Sequence, residues 1–154
     1  MAFLTQRILQ SAFRLPATIR ATELRAEPDV VVLPVREGQT PSEKLPVRIF
    51  LGTETAQYKA ERVFIWSIEK VRDPARVYEI YLMKHLSGYR PRFWLTGFTN
   101  YRFAIPHYAG NTGRAIYNDV DQIYLKDPAE MFDLEMGEHA YLSIDAGDTS
   151  VALY

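Results

Sequence analysis

Residues 114–121 have the sequence RAIYNDVD, a compact apolar run that ends in two acidic residues. A short apolar run bounded by polar and turn residues predicts a buried β-strand. Asp119 and Asp121 are two positions apart, so an extended backbone would project both carboxylates to the same face. The stretch therefore predicts a strand whose end carries a pair of carboxylates.

Residues 47–51 (VRIFL), 76–82 (RVYEIYL) and 140–144 (AYLSI) predict three more strands. Between the first two, residues 56–71 place apolar side chains at three- and four-residue spacing, which predicts a helix that stops before Asp73-Pro74. A shorter helix is predicted from Thr99 to Ile105, limited by Pro106. This alternation predicts an α/β fold, with a Rossmann-like, mostly parallel sheet and helices on both faces.

Ligands of parallel α/β sheets bind beyond the carboxyl ends of the strands. The turn Gly52-Thr53-Glu54 and the pair Asp119 and Asp121 each follow a predicted strand. We therefore expect the turn and the acidic pair to share one crevice.

Residues 1–45 differ in character from the rest of the chain. They predict a short helix at 3–14, a β-like run at 30–33 and a linker rich in Gly, Pro and charge. We therefore predict an N-terminal extension over residues 1–45 and a ligand-binding domain over residues 46–154. The first 20 residues form a weakly amphipathic, basic segment that favours a surface helix, with weak association to a membrane surface as the alternative.

The 154 residues are 47% hydrophobic and 24% charged, which suits a folded core. A formal net charge of −1 gives no sign of the basic surface typical of nucleic-acid-binding proteins. The chain has no cysteine, which excludes disulfides, thiolate catalysis and cysteine-type zinc sites. It has no apolar run near 18 residues and no signal-peptide pattern, so a cytoplasmic location is expected.

Two carboxylates on one side of a strand end can hold Mg²⁺ or Mn²⁺ through oxygen ligands. A metal so placed neutralises a diphosphate leaving group, which is the chemistry of glycosyl transfer from a nucleotide sugar. An isolated D-x-D triplet is more often a solvated turn. A calcium loop of the EF-hand type is disfavoured, because Ile123 and Tyr124 occupy the positions that require an oxygen ligand and a glycine.

Residues 114–127 resemble the YLDADxxxxxD segment of GT-A-fold glycosyltransferases, especially the glycogenin and bacterial lipopolysaccharide galactosyltransferase group. Residues 100–106 (NYRFAIP) resemble the YxRxxIP segment of the same group. The resemblance covers about residues 46–145. It implies a GT-A fold, Mn²⁺ or Mg²⁺ as cofactor, a nucleotide-diphosphate sugar as donor, and an acceptor that is a saccharide, lipid or protein.

The resemblance also implies roles for individual residues. Asp119 and Asp121 match the metal motif, within which Asn118 and Val120 also lie. Arg102 matches an arginine that approaches the acidic motif and the donor, so Arg102 and Asp119 are the candidate catalytic residues. The loop that touches the base and ribose is matched by Thr53 and Glu54. Tyr58 follows one turn into the next helix, where it either stacks on the base or belongs to the core.

The sequence departs from the group at several points. Asn118 occupies a position where the group has leucine, and the C-terminal histidine segment that supplies a third metal ligand has no counterpart. The chain also ends soon after the acidic motif. We therefore predict the donor part of a longer metal-dependent glycosyltransferase, with a truncated, non-catalytic nucleotide-sugar-binding or assembly module as the alternative. A sugar nucleotidyltransferase is disfavoured, because residues 52–56 lack the basic, glycine-rich loop that cradles a triphosphate.

Overall fold

The computed structural model describes residues 26–88, 97–145 and 148–154, and the helix predicted at residues 3–14 lies outside them. Six strands form one sheet, in the order β1-β3-β2-β4-β6-β5. They are β1 (Asp29–Leu33), β2 (Val47–Gly52), β3 (Tyr78–Met83), β4 (Ile116–Asp119), β5 (Leu142–Ser143) and β6 (Val151–Leu153). The α-helices are α1 (Tyr58–Val71), α2 (Ile105–Tyr108) and α3 (Ala129–Phe132).

The sheet is mixed, so the prediction of a mostly parallel sheet was wrong. Only the pairings of β2 with β3 and with β4 are parallel among the described strands, and the other three pairings are antiparallel. A parallel neighbour requires a crossover of about a dozen residues, usually a helix. After β4 the described chain forms only the single turn of α3, and it returns to β4 through antiparallel β6.

Helical segments cover both faces of the sheet, as predicted. Alternate residues of the central strands point to opposite faces, because the side-chain period of a strand is two. On one face Ile49 and Ile116 pack with Phe64 and Ile68 of α1. On the other face Phe50 packs in a cluster with Tyr101, Ala104 and Ile105, which lie where a 3₁₀ segment leads into α2. The two apolar layers hold the strand ends in fixed register.

The predicted helix over residues 56–71 is confirmed, with a 3₁₀ turn at Thr55–Gln57 leading into α1. It ends where predicted, because Arg72 is already extended before Asp73-Pro74. Pro106 was predicted to limit a helix, but it lies in the first turn of α2. Proline is tolerated there because that N–H has no partner within the helix.

Part of the predicted N-terminal extension enters the sheet. The β-like run at 30–33 lies within β1, which pairs antiparallel with β3 along five register positions. The predicted strand at 140–144 shortens to β5, and β6 was not predicted. Within the described residues no helix is long and apolar enough to span a membrane.

An ion-pair network ties the loops at the amino ends of the strands. The Arg76 side chain is buried and forms two hydrogen bonds with the Asp133 carboxylate, at 2.8 and 3.0 Å. Lys44 contacts the same carboxylate at 2.8 Å, and Arg76 Nε donates to the Leu45 carbonyl at 2.8 Å. Hydrogen bonds from Arg76 and then Lys44 lower the pKa of Asp133 to about 2.

We expect Asp133→Asn to lower the free energy of unfolding at pH 7 by about 1 kcal/mol, because solvent screens this partly exposed pair. A lowered carboxylate pKa gives stability that is complete above the ordinary value of 3.8 and is lost as pH falls through about 2. In urea unfolding between pH 7 and pH 2, the free energy of unfolding should therefore fall less steeply with decreasing pH in Asp133→Asn than in the wild type. Glu130→Gln, on neighbouring α3, controls for the loss of one negative charge; equal slopes in all three proteins would contradict the prediction.

Candidate functional site

The carboxyl ends of three neighbouring parallel strands meet at one edge of the sheet. Gly52 at the end of β2 is paired with Asp119 on one side and with Met83 on the other. The Val120 N–H donates to the Gly52 carbonyl at 3.2 Å, which continues the pairing past the end of β4. The predicted proximity of the Gly52 turn and the acidic pair is therefore present.

Asp119 is partly buried on the face of the sheet that carries α2. The Tyr117 hydroxyl, two residues back along β4, donates to Asp119 Oδ1 at 2.6 Å. Arg102 Nη2 lies 3.7 Å from the same oxygen, and the guanidinium carbon is 4.9 Å from the centre of the Tyr117 ring. One carboxylate oxygen is thus held between a hydroxyl donor and a cation.

The groups around Asp119 have opposite effects on its pKa. Burial raises its pKa most strongly, whereas the Tyr117 hydrogen bond and the Arg102 charge lower it. The carboxylates of Asp121 and Asp148 also raise it, so the net direction is upward. Negative charge from three side chains is therefore concentrated at this edge, and a cation placed there would be favoured.

Asp121 lies in the turn that follows β4, and its residue surface is exposed. Val120, between the two acids, is buried in the core on the α1 face. Asp119 by contrast contacts groups of the opposite face, as the alternation of a strand requires. Val120 thus anchors the acidic segment through its side chain and contributes only backbone to the edge.

Arg102 lies in the 3₁₀ segment Gly97–Ala104, which packs on the sheet through Tyr101 and Ala104. Besides facing Asp119, it donates to the Thr149 hydroxyl, and its Nη1 lies 3.5 Å from the Thr149 carbonyl. Its Nε is buried and has no hydrogen-bond partner within the part of the chain that the structure describes. The structure therefore brings together Arg102 and Asp119, the two candidate catalytic residues.

Asn118 faces away from this cluster, although the sequence placed it among the donor-binding residues. It is 2% exposed, and its amide oxygen accepts a hydrogen bond from the Tyr124 hydroxyl at 2.7 Å. Its amide nitrogen donates to Gln122 Oε1 at 3.0 Å, and Gln122 in turn donates to the Ser150 hydroxyl at 3.1 Å. Asn118 therefore fixes the turn that carries Asp121.

The residues that were predicted to contact the base and ribose of the nucleotide differ in their exposure to solvent. Thr53 is fully buried, and its hydroxyl donates to Glu61 Oε2 at 3.3 Å, so its side chain does not reach the crevice. Lys84 donates to the same oxygen at 2.7 Å. Glu54 is partly exposed at the start of the 3₁₀ turn, and Tyr58, the first residue of α1, is 53% exposed.

Sequence reasoning missed several groups at this edge. Tyr117 could have been found, since its position two residues before Asp119 on one strand puts both on the same face. Asp148 and Thr149 follow a polar stretch with no recognisable pattern, and only the fold brings them next to Arg102. In residues 26–88, 97–145 and 148–154, no three His, Asp or Glu side chains are arranged to hold a metal ion among themselves.

Two cavities lie at the other, amino-terminal edge of the central strands. The larger, of about 490 Å³, is lined by Arg48, Arg114 and neighbours, and the smaller, of about 350 Å³, by the Asp133 network. Arg48 donates to three backbone carbonyls, and Arg114 to two. Because these cations already hold loops in place, the acidic edge is the stronger candidate site.

No protein-family profile matches the sequence, and no curated protein matches it significantly. The fold is similar to that of WbbM, a bifunctional glycosyltransferase solved in its apo form, with a TM-score of 0.52 and 16% sequence identity. The match covers 71% of this chain and 23% of that one, so the chain corresponds to a minor part of that protein. This chain accordingly has a mixed α/β, glycosyltransferase-like fold.

Proposed function

We propose that this chain binds the nucleotide-diphosphate-sugar donor of a metal-dependent glycosyltransferase and takes part in transfer of the sugar. The observation that carries the proposal is the position of Asp119 and Asp121 at the carboxyl end of a central parallel strand, beside Arg102. Ligands of α/β sheets bind at such ends. The likeness of the fold to a glycosyltransferase structure supports the same assignment.

The residues at this edge fit a divalent cation in their chemistry. Asp119 and Asp121 offer carboxylate oxygens, which suit Mn²⁺ or Mg²⁺, and diphosphate oxygens and water would complete the shell. Burial and, to a smaller extent, the charges of Asp121 and Asp148 raise the pKa of Asp119, and a cation bound there would offset both effects. A divalent cation bound there supplies charge neutralisation for the diphosphate leaving group.

The neighbouring side chains have supporting roles in this proposal. The Tyr117 hydroxyl orients Asp119 Oδ1, and burial, followed by the hydrogen bond to Asp119, raises the pKa of Tyr117 above its usual value, so it remains a donor. Arg102 favours the ionised form of Asp119 and can donate to phosphate oxygens. On the base side, Glu54 would contact the ribose and exposed Tyr58 would stack on the base, while buried Thr53 would contribute only backbone.

Calorimetric titration of UDP, GDP and ADP, each with Mn²⁺ or with EDTA, tests this proposal. We expect at least one nucleoside diphosphate to bind with Mn²⁺ and to lose more than about tenfold in affinity with EDTA, because the metal would bridge the carboxylates and the negatively charged diphosphate oxygens. The corresponding monophosphate should show a smaller metal dependence. Metal-independent binding, or no binding of any of the three, would contradict the proposal.

Transfer and binding are separated by a second measurement. A chain that catalyses sugar transfer is expected to hydrolyse its nucleotide-sugar donor slowly when no acceptor is present, releasing the nucleoside diphosphate. Metal-dependent nucleotide binding without any donor hydrolysis would instead favour the alternative, a non-catalytic nucleotide-sugar-binding module.

A further inference from the structure

The outer side of α1 carries a line of basic and apolar residues, here called the α1 stripe. Lys59, Val63, Trp66 and Lys70 follow one another at three- and four-residue spacing, with Arg62 beside them. Val63 is 52% and Trp66 59% exposed, and the Lys70 ammonium lies 5.3 Å from the centre of the Trp66 ring. A large aromatic side chain is therefore displayed among three cations on the solvent side of the longest described helix.

The acidic residues of α1 are both engaged away from the stripe. Glu61 is buried beneath the helix and is paired with Lys84 at 2.7 Å. Glu69 is paired with Arg72 at 2.6 Å and with Arg36 at 3.1 Å. The stripe therefore presents an excess of positive charge, on a chain whose formal net charge is −1.

The segment that follows the acidic pair extends this surface. The Tyr124 N–H donates to Ser67 Oγ at 3.0 Å, and the Tyr124 ring packs edge-on against Phe64, with 5.7 Å between ring centres. These two contacts hold the segment around Tyr124 alongside α1. Ile123 and Leu125, on either side of Tyr124, are 55% and 82% exposed. Two more large apolar side chains are thus exposed on the segment that packs against α1.

We propose that the α1 stripe, with Ile123 and Leu125, seats this chain on a membrane surface rich in anionic lipid. Aromatic and aliphatic side chains interleaved with Lys and Arg are typical of helices that lie in the headgroup region. The long basic side chains can lay their stems on lipid and keep their charges at the phosphates. Trp and Arg also occur at protein interfaces, but two of the three basic residues here are lysine, which is depleted from them, so lipid fits the stripe better than a protein partner.

This surface adjoins the candidate site but does not depend on it. Ile123 is two residues beyond Asp121, and α1 begins directly after the turn that follows β2. A chain seated through the α1 stripe would hold its acidic edge close to the lipid surface. Binding to vesicles requires neither metal nor nucleotide, so the failure of either proposal leaves the other standing.

Cosedimentation of the full chain with vesicles tests the proposal. We expect binding to vesicles of mixed phosphatidylglycerol and phosphatidylcholine, and little binding to phosphatidylcholine alone. The variant K59Q/R62Q/K70Q should lose about tenfold or more in apparent affinity, since each basic residue near an anionic surface contributes to binding. The variant R7Q/R14Q/R20Q, which removes the same charge from the N-terminal segment, is the matched control.

Two outcomes of this experiment would overturn the proposal. One is equal binding to the two kinds of vesicle. The other is a loss of binding confined to R7Q/R14Q/R20Q, which would assign the lipid contact to the N-terminal segment. A circular-dichroism melt of each variant excludes misfolding as the cause of a loss.

Fluorescence gives a second readout at the α1 stripe itself. The chain has two tryptophans, so Trp94→Phe leaves Trp66 as its only one. We expect the Trp66 emission to shift to the blue with anionic vesicles and to be quenched by brominated lipid. An unchanged emission would overturn the proposal. So would a blue shift that appears without vesicles as protein concentration rises, since it would assign this face to a second copy of the chain.

Discussion

Asp121→Ala is expected to lower the Mn²⁺-dependent affinity for a nucleoside diphosphate by at least about 100-fold. Loss of a group that merely orients a metal ligand typically lowers metal affinity about 10- to 100-fold, so removal of a direct ligand should lower it at least as much. The fold should survive, because Asp121 lies in an exposed turn and surface substitutions usually change stability by less than about 0.5 kcal/mol. Calorimetry with and without Mn²⁺ measures the first effect, and urea unfolding measures the second.

Two further variants distinguish metal ligation from a general loss of charge. Asp121→Asn keeps the size and one oxygen of the side chain but removes its charge, so it should retain part of the affinity. Glu138→Ala removes one exposed acid from another part of the chain and should bind as the wild type does. If Asp121→Ala and Glu138→Ala bind equally well with Mn²⁺, Asp121 is not a metal ligand.

The core of the fold follows from local sequence patterns. The apolar runs of β2, β3 and β4 and the helical spacing of α1 are bounded by Gly, Pro and polar residues, so each is recognisable by itself. Strand direction is different, because it depends on how the chain returns to the sheet. β6 has only three residues, and nothing local in them shows that they pair antiparallel with β4.

Some features of the candidate site likewise follow from the sequence, and others depend on how the chain folds. Carboxyl ends of parallel strands meet at one edge, so the proximity of Gly52 and Asp119 followed from the order of elements. Strand alternation also implies that Asn118 faces opposite to Asp119, which the motif resemblance alone obscured. The burial of Thr53 against Glu61 depends on how α1 is seated on the sheet, and no pattern near Thr53 encodes it.

Asp127→Ala is expected to lower the free energy of unfolding by about 3 kcal/mol, since three hydrogen bonds of about 1 kcal/mol each would be lost. The Asp127 carboxylate accepts from the Tyr78 hydroxyl at 2.7 Å, the Asp73 N–H at 2.8 Å and the Ala129 N–H at 2.9 Å. It therefore joins the end of α1, the start of β3 and the start of α3. Urea unfolding followed by circular dichroism measures the change.

The loss should exceed that of Tyr78→Phe. That variant removes the hydroxyl, and with it the 3.2 Å hydrogen bond from the Asp73 N–H, but leaves the two backbone bonds of Asp127 in place. In Asp127→Ala the Tyr78 hydroxyl is left without its acceptor, although Tyr78 is fully buried, and an unpaired buried group costs more than a bond removed with both partners. The double variant should therefore lose less stability than the sum of the two single variants. Additive losses, or a loss below about 1 kcal/mol in Asp127→Ala, would mean that this carboxylate does not hold the three elements together.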